Sequence, residues 1–457
     1  MKMKKISATA LLFFAFNAVG QSPSVTSWLQ NTTINGSHYV QGNSTAIQDN
    51  VKANVQKVEY SSAWVYVTTH GIPVYTTGPF LDGNPSLASD QNAIFKLPLT
   101  PVQNTGTPTA TQGGNIGIFI NGTAMFDFRD GVAWNTTTNS LCGGPGNPPC
   151  PGGPTAILAW NRDAIIAEKA GFDCSKGHPA QGNYHHHQNP SAFDLDLTVI
   201  STICTLYDAD GLYAIDNTVH SPLIGFAADG FPVYGAYGFA NADGTGGITR
   251  IKSSYQLRAI TTRSIHADGT DVADGPAVSA TYPLGYFRED YEYIPHVGQT
   301  DYLDSHNGRF CVTPEYPNGT YCYFATVDAN WNSAYPYLVG PTYYGVKSAS
   351  KVTSITEPTT VYSSTAGITQ SELDQLTIQL VPNPASEIVA IQVKGLVDEQ
   401  LTVTLLDLSG KIIATQYIQP GSTITYFDTQ TVYAGEYIVN IASKTGITHK
   451  KLSVIKG

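Results

Sequence analysis

The chain has 457 residues, enough for two or three domains, and only 13% of them are charged, about half the share usual in soluble proteins. Its formal charge is −11 and the only basic cluster is at the extreme N-terminus, which excludes the clustered positive surface that nucleic-acid binding requires. Tyr (27) and Gly (43) are abundant and helical amphipathic periodicity is scarce, so the chain reads as mainly β: a large β-rich domain with long ordered loops, plus a small C-terminal Ig-like β-sandwich that strand alternation indicates below.

In chain order, residues 1–20 read as a signal peptide. Lys2, Lys4 and Lys5 precede the apolar run ISATALLFFAFNAV, and Ala18-Val19-Gly20 offers small residues before a cut ahead of Gln21. The run is short for a spanning helix, and no later segment is long and apolar enough to form a transmembrane span. No Cys follows the run, which argues against a lipoprotein anchor. The expected location is secreted or cell-surface.

Residues 21–350 form one stretch without a clear break. Three segments share a glycine turn residue followed by a short apolar strand: His70-Gly71-Ile72-Pro73-Val74-Tyr75, Asn121-Gly122-Thr123-Ala124-Met125-Phe126 and Asp229-Gly230-Phe231-Pro232-Val233-Tyr234. Each follows an apolar strand pattern, so each predicts a β-hairpin. The spacing predicts one helix over residues 161–171, capped by Asn161 and stopped at Gly171. In an exported chain the six Cys suggest disulfides. Cys142 and Cys150 bracket a Gly/Pro loop that can close locally; Cys174–Cys204 and Cys311–Cys322 are the simplest remaining pairs. A tight turn at Asn318-Gly319 would put Thr326 opposite Cys311, and a wider loop over 312–321 would bring Cys322 there instead.

The segment GNYHHHQNP (182–190) carries the densest chemistry. On a strand, side chains alternate faces, so His185 and His187 share one face about 7 Å apart along the backbone, while His186 points away with Tyr184. Two imidazoles so placed can converge on one ion, but a metal site needs a third or fourth ligand. A turn at Pro179 to Gly182 could fold His178 back, and His220 is the next candidate. His70, His306 and a carboxylate, Asp194, Asp196 or Asp229, could complete or support the site. Cys174 could join as a thiolate, but export favours a disulfide. Imidazole-rich sites suit zinc or copper. In an enzyme the ion would activate a water or an oxidant at an open position, with Asp229 as base or supporting partner. A closed, saturated site would instead hold metal without substrate. The competing reading is a cell-surface binding or adhesion module for a glycan or protein ligand, with structural histidines. Trp64, Trp134, Trp160, Trp331, Tyr335 and Tyr337 could then form a stacking surface, although such aromatics more often pack cores. There is no G-x-S-x-G, no H-E-x-x-H and no phosphate-binding Gly loop.

These residues resemble the YHYH-domain proteins, named for a Tyr-His-Tyr-His motif. The similar runs are GHPAQGNYHHHQNP (177–190) and HSPLIGFAADGFPVYGAYG (220–238), with GIPVYTTGPF and NIGIFINGTAMFDF upstream and HNGRFCVTPEYPNGTYCYF and AYPYLVGPTYYG downstream. Tyr184, His185 and His187 match the name motif, and His186 stands where the family has its second Tyr. The resemblance covers most of residues 60–345 and implies no particular reaction.

Residues 351–375 are rich in Ser and Thr and read as a linker. Residues 376–457 alternate apolar and polar residues between turn signals, the pattern of a small antiparallel β-sandwich. The pieces VPNPAS, LLDLSGK, AGEYIVNI and KKLSVIKG resemble the sorting domain of type IX secretion. That resemblance implies the secretion machinery as partner, and a tag usually removed after crossing the outer membrane.

Overall fold

A computed structural model of the chain describes residues 21–80, 86–144, 146–151, 158–190, 213, 215–347, 351–362, 373, 376–394, 397, 399–408, 410–443 and 446–456. The leader expected over residues 1–20 and Cys204 lie outside these. The chain divides into two compact units, residues 1–362 and 363–457. Both are built from strands, as the composition predicts. Among the described residues no helix is long and apolar enough to cross a membrane.

Among the described residues, the frame of the first unit is an eight-stranded mixed sheet. Its strands are β1 (Asn115–Phe119), β2 (Ala124–Phe126), β3 (His178–Ala180), β4 (Asn183–His186), β5 (Leu223–Ala227), β6 (Pro232–Tyr234), β7 (Gly308–Cys311) and β8 (Thr320–Phe324). They lie in the order β3-β4-β2-β1-β5-β6-β8-β7. Pairing is antiparallel except between β4 and β2 and between β6 and β8. Two of the three expected hairpins are present. Asn121-Gly122 turns β1 into β2 and Asp229-Gly230 turns β5 into β6, with Gly122 and Gly230 in the left-handed region. The third is not a hairpin. The strand Trp64–Thr69 pairs with Val55–Tyr60 and Ala93–Pro98, and beyond Gly71 the chain runs on irregularly, carrying Tyr75 under β4.

The central sheet is covered on both faces, so β5 is buried at every residue, as a two-sided strand should be. One face packs Ile118, Leu223 and Phe226 on Val58, Val67 and Phe95 of a five-stranded sheet. The other packs Phe119, Met125, Ile224 and Tyr323 beneath Leu338 and Tyr343. Trp134, Trp160, Tyr335 and Tyr337 are buried in satellite clusters, so most of the aromatic set packs the interior rather than a stacking surface.

Three expectations need correction. The helix spans only Ala164–Glu168, followed by a tighter turn over Lys169–Gly171. Its cap is Asp163, whose carboxylate accepts from the Ile165 and Ile166 amides; Asn161 is in a strand beside Ala133, its amide bonded to Glu289. Cys311 and Cys322 are buried thiols: the β7–β8 register sets Cys311 opposite Thr320 and Cys322 opposite Arg309, so the two are diagonal neighbours. Residues 351–362, assigned by composition to the linker, supply strands Lys351–Val352 and Thr360–Tyr362 at the two edges of the five-stranded sheet. Thr and Val suit an edge strand as well as a linker, and composition cannot separate the two uses. The Cys142–Cys150 disulfide is formed, with Cα atoms 4.8 Å apart.

The second unit is the expected sandwich. A three-stranded sheet (Thr377–Val381, Ile388–Lys394, Ile424–Asp428) faces a four-stranded one (Ile412–Ile418, Leu401–Leu406, Gly435–Ala442, Ile447–Val454). The alternating apolar positions Val389, Ile391, Val393, Val403, Leu405, Val439 and Ile441 fill the space between them.

Candidate metal centre

The turn between β3 and β4 is the two residues Gln181 and Gly182, with φ of +51° and +82°. Two consecutive left-handed residues form the tight hairpin whose twist matches its strands, and Gly is the residue suited to the second position. This sets His178 directly opposite His185 in the antiparallel register. Cross-strand partners share a face, and so do residues two apart on a strand. His178, His185 and His187 therefore point to one side, where their ligand nitrogens lie within 4.8 Å of one another. All three are buried.

Two of the rings have their tautomer set by the backbone. His185 Nδ1 faces the Asn183 carbonyl at 2.8 Å, and His187 Nδ1 faces the Asp127 carbonyl. A carbonyl only accepts, so each Nδ1 carries the hydrogen and each Nε2 presents a lone pair. Those two Nε2 atoms are 3.0 Å apart. Burial, then the neighbouring His187 and His178, pushes His185 well below the usual imidazole range, which keeps it neutral. Phe126 stacks on His185 with centroids 3.8 Å apart, and Phe172 covers His178 and His187. Apolar walls thus fix the ring planes.

A fourth group was not anticipated from the sequence. Glu168, the last residue of the short helix, places Oε2 3.2 Å from His178 Nε2 and 3.1 Å from His187 Nε2. Burial alone would raise this carboxyl, but the close contacts with His178 and His187 outweigh it and hold the group well below the usual carboxylate range. The only signal in the sequence is a lone Glu in the apolar run AIIAEKA, ten residues before His178, with nothing to show that the helix ends over the hairpin.

The opposite face of β4 is a hydrogen-bonded knot. His186 accepts from the Tyr75 hydroxyl at 2.8 Å and donates to the Lys176 carbonyl at 3.0 Å. Tyr184 donates to Asp173 at 2.8 Å, and Asp173 also accepts from the amides of Gly78, Ser175 and Gly177. Burial pushes His186 down to about 3 and Asp173 up to about 6. Tyr184 and His186 thus face away from the triad, as strand alternation predicts.

The other candidates sit elsewhere. His220 packs among Tyr234, Phe239 and Phe324 and bonds the Ser221 carbonyl, across the sheet from the triad. Asp229 accepts from Tyr323, Gly345 and Phe231 and is pushed up to about 6 by burial, a carboxylate spent on a turn. His70 lies 3.8 Å from Asp90, and His306 bonds Thr342. Cys174 is disulfide-bonded and so offers no thiolate. Asp194 and Asp196 lie outside the described residues.

A β-sheet domain with a buried histidine face is followed in the chain by a separate β-sandwich. Residues 94–336, more than half of the chain, match the YHYH protein family, and residues 379–456 match the secretion system C-terminal sorting domain. The chain belongs to the YHYH family and carries a sorting domain that addresses it, through the type IX secretion machinery, to the cell surface or the extracellular space. No curated protein matches it.

Proposed function

We propose that the YHYH domain of this exported protein is a metal-binding module that holds one transition-metal ion, zinc or copper, on Nε2 of His178, His185 and His187. The observation that carries this reading is the pair of Nε2 lone pairs facing each other at 3.0 Å, each ring's hydrogen being committed to a backbone carbonyl on its far side. Two neutral lone pairs so placed repel unless a cation lies between them. A shared proton would serve one pair, whereas three nitrogens lie together here, with a carboxylate oxygen beside two of them. The carbonyl partners are also the outer contacts that orient metal-binding imidazoles. An adhesion module with structural histidines gives no reason for their ligand atoms to meet. Three protein nitrogens leave a four-coordinate ion one further position, and what occupies it decides between a metalloenzyme and a metal-holding protein.

The test is metal content of the mature chain by mass spectrometry, beside the His185→Ala/His187→Ala variant. One zinc or copper per chain, absent from the folded variant, is the expected result. A folded wild type that takes up neither ion when offered both would sink the reading.

A further inference from the structure

We infer that Glu168 is the fourth ligand of this centre and that its carboxylate closes the site against small external ligands. The inference rests on the metal-binding reading above. Ligands of a tetrahedral ion at about 2.0–2.1 Å from the metal are about 3.3 Å from one another. Glu168 Oε2 is 3.2 Å from His178 Nε2 and 3.1 Å from His187 Nε2, and the two nearest nitrogens are 3.0 Å apart. These three separations are close to those within a tetrahedral shell, and the three histidine nitrogens all lie within 4.8 Å of one another. The same oxygen is buried and has no hydrogen-bond partner, although His178 Nε2 and His187 Nε2 lie close to it. A buried carboxylate oxygen in that state is costly, and a cation at the common focus supplies what it lacks.

The scaffold delivers Glu168 with little freedom. The helix starts at Asp163, whose carboxylate takes two amides and the Tyr337 hydroxyl, and Glu168 follows only five residues later. The set is three imidazoles and one carboxylate with no sulfur, which favours a divalent ion over Cu(I). Four protein ligands fill a tetrahedron, so the site is built to hold an ion rather than to turn over a substrate on it. Of the four side chains Glu168 is the most exposed, at 24% against 7% for His178 and 3% for His187, so it is the ligand past which the ion enters.

The experiment loads the full mature chain with Co²⁺ and records its visible spectrum with and without azide or acetate. Glu168→Ala and Glu168→Gln are treated alike, and Zn²⁺ affinity is measured by chelator competition. The expected wild type gives the intense bands of a four-coordinate ion and ignores both anions. Glu168→Ala should lose Zn²⁺ affinity by about 100-fold, the upper end for loss of an outer partner. Its altered spectrum should shift on adding azide and return toward the wild type with acetate. Glu168→Gln, nearly isosteric, separates loss of the ligand from loss of the fold. Wild-type affinity and spectrum in both variants would overturn the inference while leaving the three-histidine site intact. A wild type that binds no Co²⁺ or Zn²⁺ would overturn both.

Discussion

At the scale of single residues, the two sides of β4 divide the histidines by chemistry. His185 and His187 turn their Nε2 atoms to the cluster, while His186 is spent on Tyr75 and Lys176. Burial pushes His186 down to about 3, so it stays neutral where an ordinary imidazole titrates near 6.5. NMR of the imidazole nitrogens should show one fixed tautomer, hydrogen on Nδ1, unchanged from about pH 7 to 4.5. A midpoint near 6.5 would mean that the knot is open. The unfolded chain takes up a proton at His186 below 6.5 that the folded chain refuses until about 3, so this residue makes the fold less stable as pH falls through that window. The family's second Tyr is replaced here by a group that keeps both a donor and an acceptor, and the two partners it meets use both.

At the scale of elements, the hairpin β3–β4 is the device that makes the site. Its two-residue turn decides that His178 meets His185, because a longer loop would slide the register and send one ring to the other face. Gly182 is required twice over. Its φ is +82°, and an added Cβ would lie 2.0 Å from Ser89 Oγ. Gly182→Ala should cost on the order of 1–3 kcal/mol. It should also lower metal content, because it disturbs the pairing of His178 with His185. A thermal melt and a metal assay on the same sample check both; an unchanged melting temperature with full metal content would refute the role given to the turn. The helix lesson is similar. Asn161 and Asp163 both precede the apolar run as plausible caps, and the choice fell to Asp163 because Asn161 is drawn into a strand beside Ala133.

At the scale of the molecule, the working unit ends later than composition suggests. The strands Lys351–Val352 and Thr360–Tyr362 complete the five-stranded sheet, and Tyr66 and Glu59 bond to Glu357 and Thr359 of the same segment. A chain cut after Tyr362 should melt like the first unit of the full protein and take up the proposed ion as the full chain does. One cut after residue 350 should melt at lower temperature, because two edge strands and their side-chain partners are gone. Equal melting temperatures for the two truncations would show that those strands add nothing. The sandwich carries its own closed core, so its removal strips no residue from the first unit's sheets.

What the sequence by itself determined about this protein was what local pattern can carry. Alternation marked the strands, Asn121-Gly122 and Asp229-Gly230 marked two turns, Cys142 and Cys150 closed a short loop, and H-x-H put His185 and His187 on one face. Export could be read because address signals are themselves linear. Only the tertiary structure decided which distant groups meet. Glu168 reaches the histidines because a short capped helix ends over the hairpin, and His220 does not because the sheet order sets it four strands away from β4. The Asp127 carbonyl that orients His187 has no sequence signal at all, since every residue has one. Coordination depends on atoms a few ångströms apart in space, and for groups far apart in the chain that separation is set by packing rather than by spacing.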